Sequence, residues 1–201
     1  VPRLADHEQR RREITDAARR VIARGGLESA TFQSVAAEAG ISVRLVQYYF
    51  GTKKDFLRAT HLAVSADAGD RFAQRFAALG EAAEPRDVIY AMLEELLPMN
   101  EARRRDTIVL GAFQAASLAG SGLSMDETLG GTRWLIAAVA EQLRRSCDSA
   151  DTDRDATLIV LAAAALTQSM VAGVHTNEAA TELLEHLLHR IPGPDAARRS
   201  E

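Results

Sequence analysis

The chain has 201 residues, 47% of them apolar and 26% charged, with a formal net charge of −4; that profile fits one or two soluble globular domains and excludes a disordered chain. A single Cys excludes a disulfide framework and a Cys-based zinc centre, and leads to an expectation of a reducing, cytoplasmic setting. The net charge hides an asymmetry: residues 1–60 hold eleven Lys and Arg against seven Asp and Glu, a formal +4, and the remainder sums to −8, the distribution of a nucleic-acid module joined to an acidic body.

Helical periodicity runs through the whole chain, and no stretch alternates apolar with polar residues as a strand does, so an all-α fold of about nine helices is expected. The first, near 8–24, places Ile14, Ala18, Val21 and Ile22 on one face and stops at Gly25-Gly26. Short helices near 31–38 and 42–49 follow, then a long one near 52–79 in which Phe72, Phe76 and Leu79 repeat the helical spacing before Gly80. Further helices are expected near 86–97, entered through Pro85, and near 101–119, 125–146, 153–174 and 177–190. The last carries an apolar stripe, Leu183, Leu184, Leu187, Leu188 and Ile191, closed by Pro192-Gly193. Thr52 with Asp55, Ser124 with Glu127 and Thr152 with Asp155 fit the capping box, in which a hydroxyl and a carboxylate satisfy the first free amides of a helix. The longest apolar run, Leu158 to Leu166, is far short of the ~20 residues of a membrane helix. No basic-then-apolar leader is visible, so secretion is not expected.

The informative stretch is TFQSVAAEAGISVRLVQYYFGTKK, residues 31–54. Thr31 can cap a short helix that turns Val35 and Ala36 inward, and Ala39-Gly40 makes a tight turn. Ile41 fills the gap, Ser42 caps the next helix, and Leu45, Val46 and Phe50 anchor it. That is a helix-turn-helix, whose second helix lies in the major groove of duplex DNA. Its outward residues are Val43, Arg44, Gln47 and Tyr48. Arg44 and Gln47 carry the paired donors and acceptors that read guanine and adenine edges. Thr31, Tyr48, Tyr49 and Lys53 suit phosphates, as do the N-terminal amides of the helix begun by Thr52. Arg10 and Arg11, with Arg12, sit where they oppose a helix dipole, which makes a phosphate or minor-groove contact their expected use.

These residues resemble the N-terminal signature of the TetR-type bacterial transcription regulators. Thr31, Phe32, Val35, Ala36, Ala39, Gly40, Ile41, Ser42, Tyr49, Phe50, Lys53 and Phe56-Leu57 match it in order over about the first 60 residues. Arg44 stands where a Gly is frequent and Gln47 where a Tyr is frequent, so no operator sequence carries over. The resemblance implies a three-helix DNA-binding domain over 8–57, with its helix-turn-helix at about 31–50. It implies a helical ligand-sensing and dimerising body over 58–191, ahead of a polar tail over 192–201. The segment order of the body, including LLPMNEARRRDTIVLGAF, is similar to the branch typified by the choline-responsive betaine-pathway repressors.

Three further expectations concern the body. Phe72, Phe76, Tyr90, Phe113 and Trp134, with the polar Gln114, Ser117 and Gln168, are candidates for lining a mostly apolar effector pocket. Leu158 to Leu166 is apolar on nearly every side, so the helices near 153–174 and 177–190 are expected to pair with their copies in a homodimer. No catalytic constellation appears, and His186 and His189 are expected to be solvated or interfacial rather than metal-binding, so no enzyme, metal or cofactor is expected. The expected partners are a two-fold DNA operator and a small molecule, with no membrane; the function is that of a ligand-released repressor. The competing reading is a helical protein–protein adaptor with a purely structural helix-turn-helix, which the basic N-terminal third argues against.

Overall fold

The computed structural model describes residues 2–80, 82–120, 122–146 and 151–190. Cys147 and the expected helix stop at Ile191, Pro192 and Gly193 lie outside the described residues. Nine α-helices and one 3₁₀ turn make up the described residues, with no strand among them. They are α1 (Pro2–Gly25), α2 (Phe32–Ala39), α3 (Val43–Phe50), α4 (Lys53–Leu79), α5 (Pro85–Leu96), α6 (Glu101–Leu118), α7 (Met125–Ser146), α8 (Thr152–Val171) and α9 (Asn177–His189). The 3₁₀ turn, Leu27–Ser29, follows α1. No helix among the described residues is long and apolar enough to cross a membrane.

The helix starts follow local chemistry. Glu127 donates its amide to Ser124 Oγ at 3.3 Å and returns a carboxylate to the Ser124 amide at 2.9 Å, a complete box at the head of α7. Thr52 Oγ1 accepts from the Asp55 amide at 3.1 Å and donates to its carboxylate at 2.6 Å. Pro85 occupies the first turn of α5, where its missing N–H costs nothing. Two expectations need correction. Thr152 is not a cap: α8 begins with it, Asp151 holds the cap position, and the Thr152 side chain is buried. And α1 starts at Pro2, so Arg10, Arg11 and Arg12 lie in its interior, beyond the first turn where a helix dipole acts.

The chain forms two compact units. One comprises Val1–Ala68 with Arg105–Leu129; the other comprises Gly69–Arg104 with Gly130–Glu201. The division is thus discontinuous in sequence. The first unit packs Ile14, Ala18 and Ile22 of α1 against Val35 of α2, Val46 and Phe50 of α3, Phe56 and Val64 of α4, and Val109 and Phe113 of α6. The second packs Ile89 and Leu93 of α5 with Leu135 and Val139 of α7, Ile159 and Val160 of α8, and Leu184 and Leu188 of α9. Each helix buries one apolar stripe, as the 3.6-residue period requires.

A buried charge organises the second unit. Glu95, 4% exposed in its side chain, accepts from Arg71 Nε at 2.9 Å and from Arg103, which ties α4 and the start of α6 to α5. Arg75 pairs with Glu94 beside it. Arg104 Nη1 donates to the Val171 carbonyl at 2.9 Å, closing the end of α8.

Candidate nucleic-acid interface

The helix-turn-helix is built from two N-caps and one left-handed residue. Thr31 Oγ1 accepts from the Ser34 amide at 3.0 Å, and Ser34 Oγ accepts from the Thr31 amide at 3.0 Å, a reciprocal cap at the head of α2. Gly40 ends α2 at φ 66°, a conformation in which a Cβ is strained, and the Ile41 amide returns to the Ala36 carbonyl at 3.0 Å. Ser42 Oγ accepts from the Leu45 amide at 3.3 Å and starts α3 two residues later than α2 stops turning.

On α3, Val46 and Phe50 are buried, while Val43, Leu45 and Tyr49 are half-buried. Arg44, Gln47 and Tyr48 are exposed at i, i+3 and i+4, one helix face, with Tyr48 at 74%. The helix is fixed from behind by Phe56 of α4, whose ring meets Phe50 at 5.3 Å and Phe32 at 5.7 Å between centroids, both edge-on. Such pairs add about 0.5–1.5 kcal/mol beyond the area they bury.

The basic residues divide into two sets. Arg20 and Arg24 of α1 both bind Glu38 of α2, Arg20 Nε at 2.6 Å. Those hydrogen bonds, Arg24's first and then Arg20's, hold the Glu38 carboxyl down to about 2. Arg11 also turns inward: its guanidinium donates to the Tyr49 carbonyl at 2.5 Å and lies 4.4 Å over the Phe50 ring. Arg10 lies in an exposed pair with Glu13 at 2.6 Å. Arg44 and Lys54 are exposed, and Lys53, half-exposed, stands 3.5 Å from Glu28. Ser42 and Thr31 are exposed at their caps. The Tyr49 ring meets His7 at 4.6 Å, tilted, and Tyr48 at 5.4 Å, edge-on.

Sequence reasoning missed His7, Glu28 and Glu38. No local pattern marks them, since each meets its partner only after α1, α2 and α4 pack.

The candidate effector residues fall into two groups. Phe72 meets Phe76 at 6.2 Å and Trp134 at 5.8 Å in the second unit, and half-buried Tyr90 packs into the same core. Burial, then the charges of Glu94 and Glu185, push the Tyr90 hydroxyl above its ordinary 10. Gln168 is exposed on α8. Phe113, Gln114 and Ser117 belong to the first unit, where Phe113 is 1% exposed against His61 and Ser117 Oγ donates to the Phe113 carbonyl at 3.0 Å.

Residues 14–60 match the family model described as bacterial regulatory proteins, tetR family. Over 153 residues the chain is 31% identical to the HTH-type transcriptional regulator PksA of Bacillus subtilis (strain 168), covering 74% of this chain and 73% of that one. It is 28% identical over 145 residues to the HTH-type transcriptional regulator BetI 1 of Chromohalobacter salexigens, with coverage of 72% and 70%. Among solved structures, a transcriptional regulator from Rhodococcus sp. Rha1 superposes with a TM-score of 0.77 at 20% identity, covering 90% of this chain and 95% of that one. A regulator from Saccharomonospora viridis in complex with choline superposes with a TM-score of 0.76 at 22% identity, covering 91% and 97%. At those identities the structures speak for the fold, which the PksA match extends to descent: the chain belongs to the TetR family of bacterial transcriptional regulators, DNA-binding proteins and not enzymes.

Proposed function

We propose that the chain is a ligand-released repressor that grips a two-fold operator as a homodimer. The observation that carries the reading is the one-sided α3, with Val46 and Phe50 sealed against the core while Arg44, Gln47 and Tyr48 stand together in solvent. Arg44 and Gln47 read base edges, and Thr31, Tyr48 and Lys53 hold phosphates. Arg44→Ala should cost ~1–3 kcal/mol of operator binding and relax preference at one base step, whereas Lys53→Ala should weaken all sequences alike and flatten the salt slope by about one unit. If Arg44→Ala leaves both affinity and base preference unchanged, α3 does not enter the groove on this face.

The dimer rests on α8 and α9. In a single chain Leu158, Leu161 and Leu183 stay 65%, 54% and 45% exposed. Beside them runs a groove of ≈ 480 Å³ lined by Ala162, Ala165, Leu166, Leu183 and Leu187. Burying these residues against their copies satisfies the run from Leu158 to Leu166, and a two-fold dimer meets both half-sites of an operator when its reading heads lie one DNA turn, ~34–36 Å, apart. We infer an effector site among Phe72, Phe76, Tyr90 and Trp134. An aromatic cluster in an acidic body suits an apolar, neutral or cationic compound, and the S. viridis regulator holds choline. Trp134, the only Trp, should report it. A compound that quenches Trp134 without changing operator affinity refutes the release mechanism.

A further inference from the structure

The first unit contains a cavity of ≈ 270 Å³, of whose lining the DNA reading uses Lys53 alone. Its floor is Leu27, Leu57, Phe113 and Leu123, each no more than 9% exposed. Its mouth is polar, formed by Lys53, Lys54 and Glu28. Lys53 and Lys54 are the only lysines in the chain, and both sit on this one opening. An apolar pit with two ammonium groups at its rim has the chemistry of a site for an anion with a short apolar tail. The Glu28 carboxylate, 3.5 Å from Lys53 Nζ, lies where a ligand carboxylate would lie, on a side chain 86% exposed and therefore loosely held.

We infer that this cavity is an effector site for a short aliphatic monocarboxylate, whose head takes the place of Glu28 at Lys53 and Lys54 and whose tail rests on Leu57, Phe113 and Leu123. The site is separate from the aromatic cluster of the second unit. It shares Lys53 with the phosphate contact proposed above, and in that respect rests on that reading. Occupancy neutralises Lys53, so carboxylate and DNA backbone compete for one cation.

The test uses the full chain, with butanoate, hexanoate and octanoate titrated by calorimetry in the absence of DNA. Affinity should rise about fourfold per added methylene, the equivalent of ~0.8 kcal/mol per buried CH₂. Octanol should bind much more weakly than octanoate. Lys54→Gln should weaken octanoate about tenfold through loss of a charged hydrogen bond, and Glu28→Gln should tighten it. Octanoate binding unchanged in both variants, octanol binding as well as octanoate, or no octanoate binding at all would each overturn the site. In a second arm, binding to a random-sequence duplex is followed against salt. Saturating octanoate should flatten the log–log slope by about one unit in the wild type and not at all in Lys53→Ala. A slope that octanoate leaves unchanged in the wild type overturns the competition. Failure of the unliganded chain to bind duplex would instead refute the DNA reading, leaving the calorimetric arm to judge the cavity by itself.

Discussion

Arg11 belongs to a basic run that the sequence assigns to DNA, yet its guanidinium faces the protein. It donates to the carbonyl of Tyr49, one of the last residues of α3, and covers the Phe50 ring at 4.4 Å. Tyr49 carries one of the terminal carbonyls that have no partner within their own helix, and a cation there also meets the negative end of the helix. A hydrogen bond from a charged donor contributes ~1.5–3 kcal/mol, and the partly exposed cation–π contact adds ~0.5–1 kcal/mol. The two overlap in one side chain, so Arg11→Ala should cost roughly 2–3 kcal/mol, near the upper part of the range for a single charged hydrogen bond. With a urea slope of about 2 kcal/mol per molar, the unfolding midpoint should fall by about 1–1.5 M. Arg11→Lys, which keeps the charge but loses the planar fork, should fall in between. The assay pairs urea unfolding, followed by circular dichroism, with duplex binding at several salt concentrations. A positioning role lowers the midpoint and leaves the salt slope of the folded protein unchanged. A slope flattened by about one unit with an unmoved midpoint would show that Arg11 holds a phosphate, and the inward assignment would be wrong.

Other outcomes follow from the same geometry. Glu95→Gln leaves Arg71 and Arg103 with a neutral partner on a side chain 4% exposed and should cost ~1–3 kcal/mol, read as a lower urea midpoint. His61 is buried against Phe113, and burial holds its pKa below the ordinary 6.5. The folded value is therefore the lower one, so stability should fall as pH drops below 6.5 toward that value and then level off; His61→Phe should remove this part of the pH dependence. For Glu38, held down to about 2, the sign is the same but the cause differs, because its charged form is the favoured one: its contribution is present above 4.5 and lost as pH falls toward 2, so Glu38→Gln should flatten the acid limb of unfolding. Leu161→Glu or Leu187→Glu should give monomers in sedimentation that no longer hold an operator, and an unaltered dimer would move the interface elsewhere.

The helix-turn-helix was legible because each of its parts is local. Thr31, Gly40 and Ser42 act within four residues of themselves, and Val46 and Phe50 follow from helical spacing alone. Thr152 shows the limit of such reasoning: Asp151 stands next to it, and one residue decides which of them flanks the helix. The effector residues were chosen by size and polarity, which say nothing about which helix meets which. Phe113 and Ser117 are buried in the first unit and Trp134 half-exposed in the second because α6 and α7 each pass from one unit to the other. Arg11 is the same kind of case at shorter range. Its role depends on Tyr49 and Phe50, which reach it only after α1 and α3 pack.

The glycines inside α4 and α7 have an energetic consequence. α4 leaves the first unit between Ala68 and Gly69, and α7 does so between Leu129 and Gly130, with Gly131 next. At all three glycines a methyl group would meet nothing within 4 Å, so no steric demand keeps them small. Each costs its helix about 1 kcal/mol relative to alanine. Three exposed helical positions thus carry a residue that weakens the helix with no gain in packing. Alanine at Gly69, Gly130 or Gly131 should therefore raise the urea midpoint, the reverse of what most substitutions in a folded chain do.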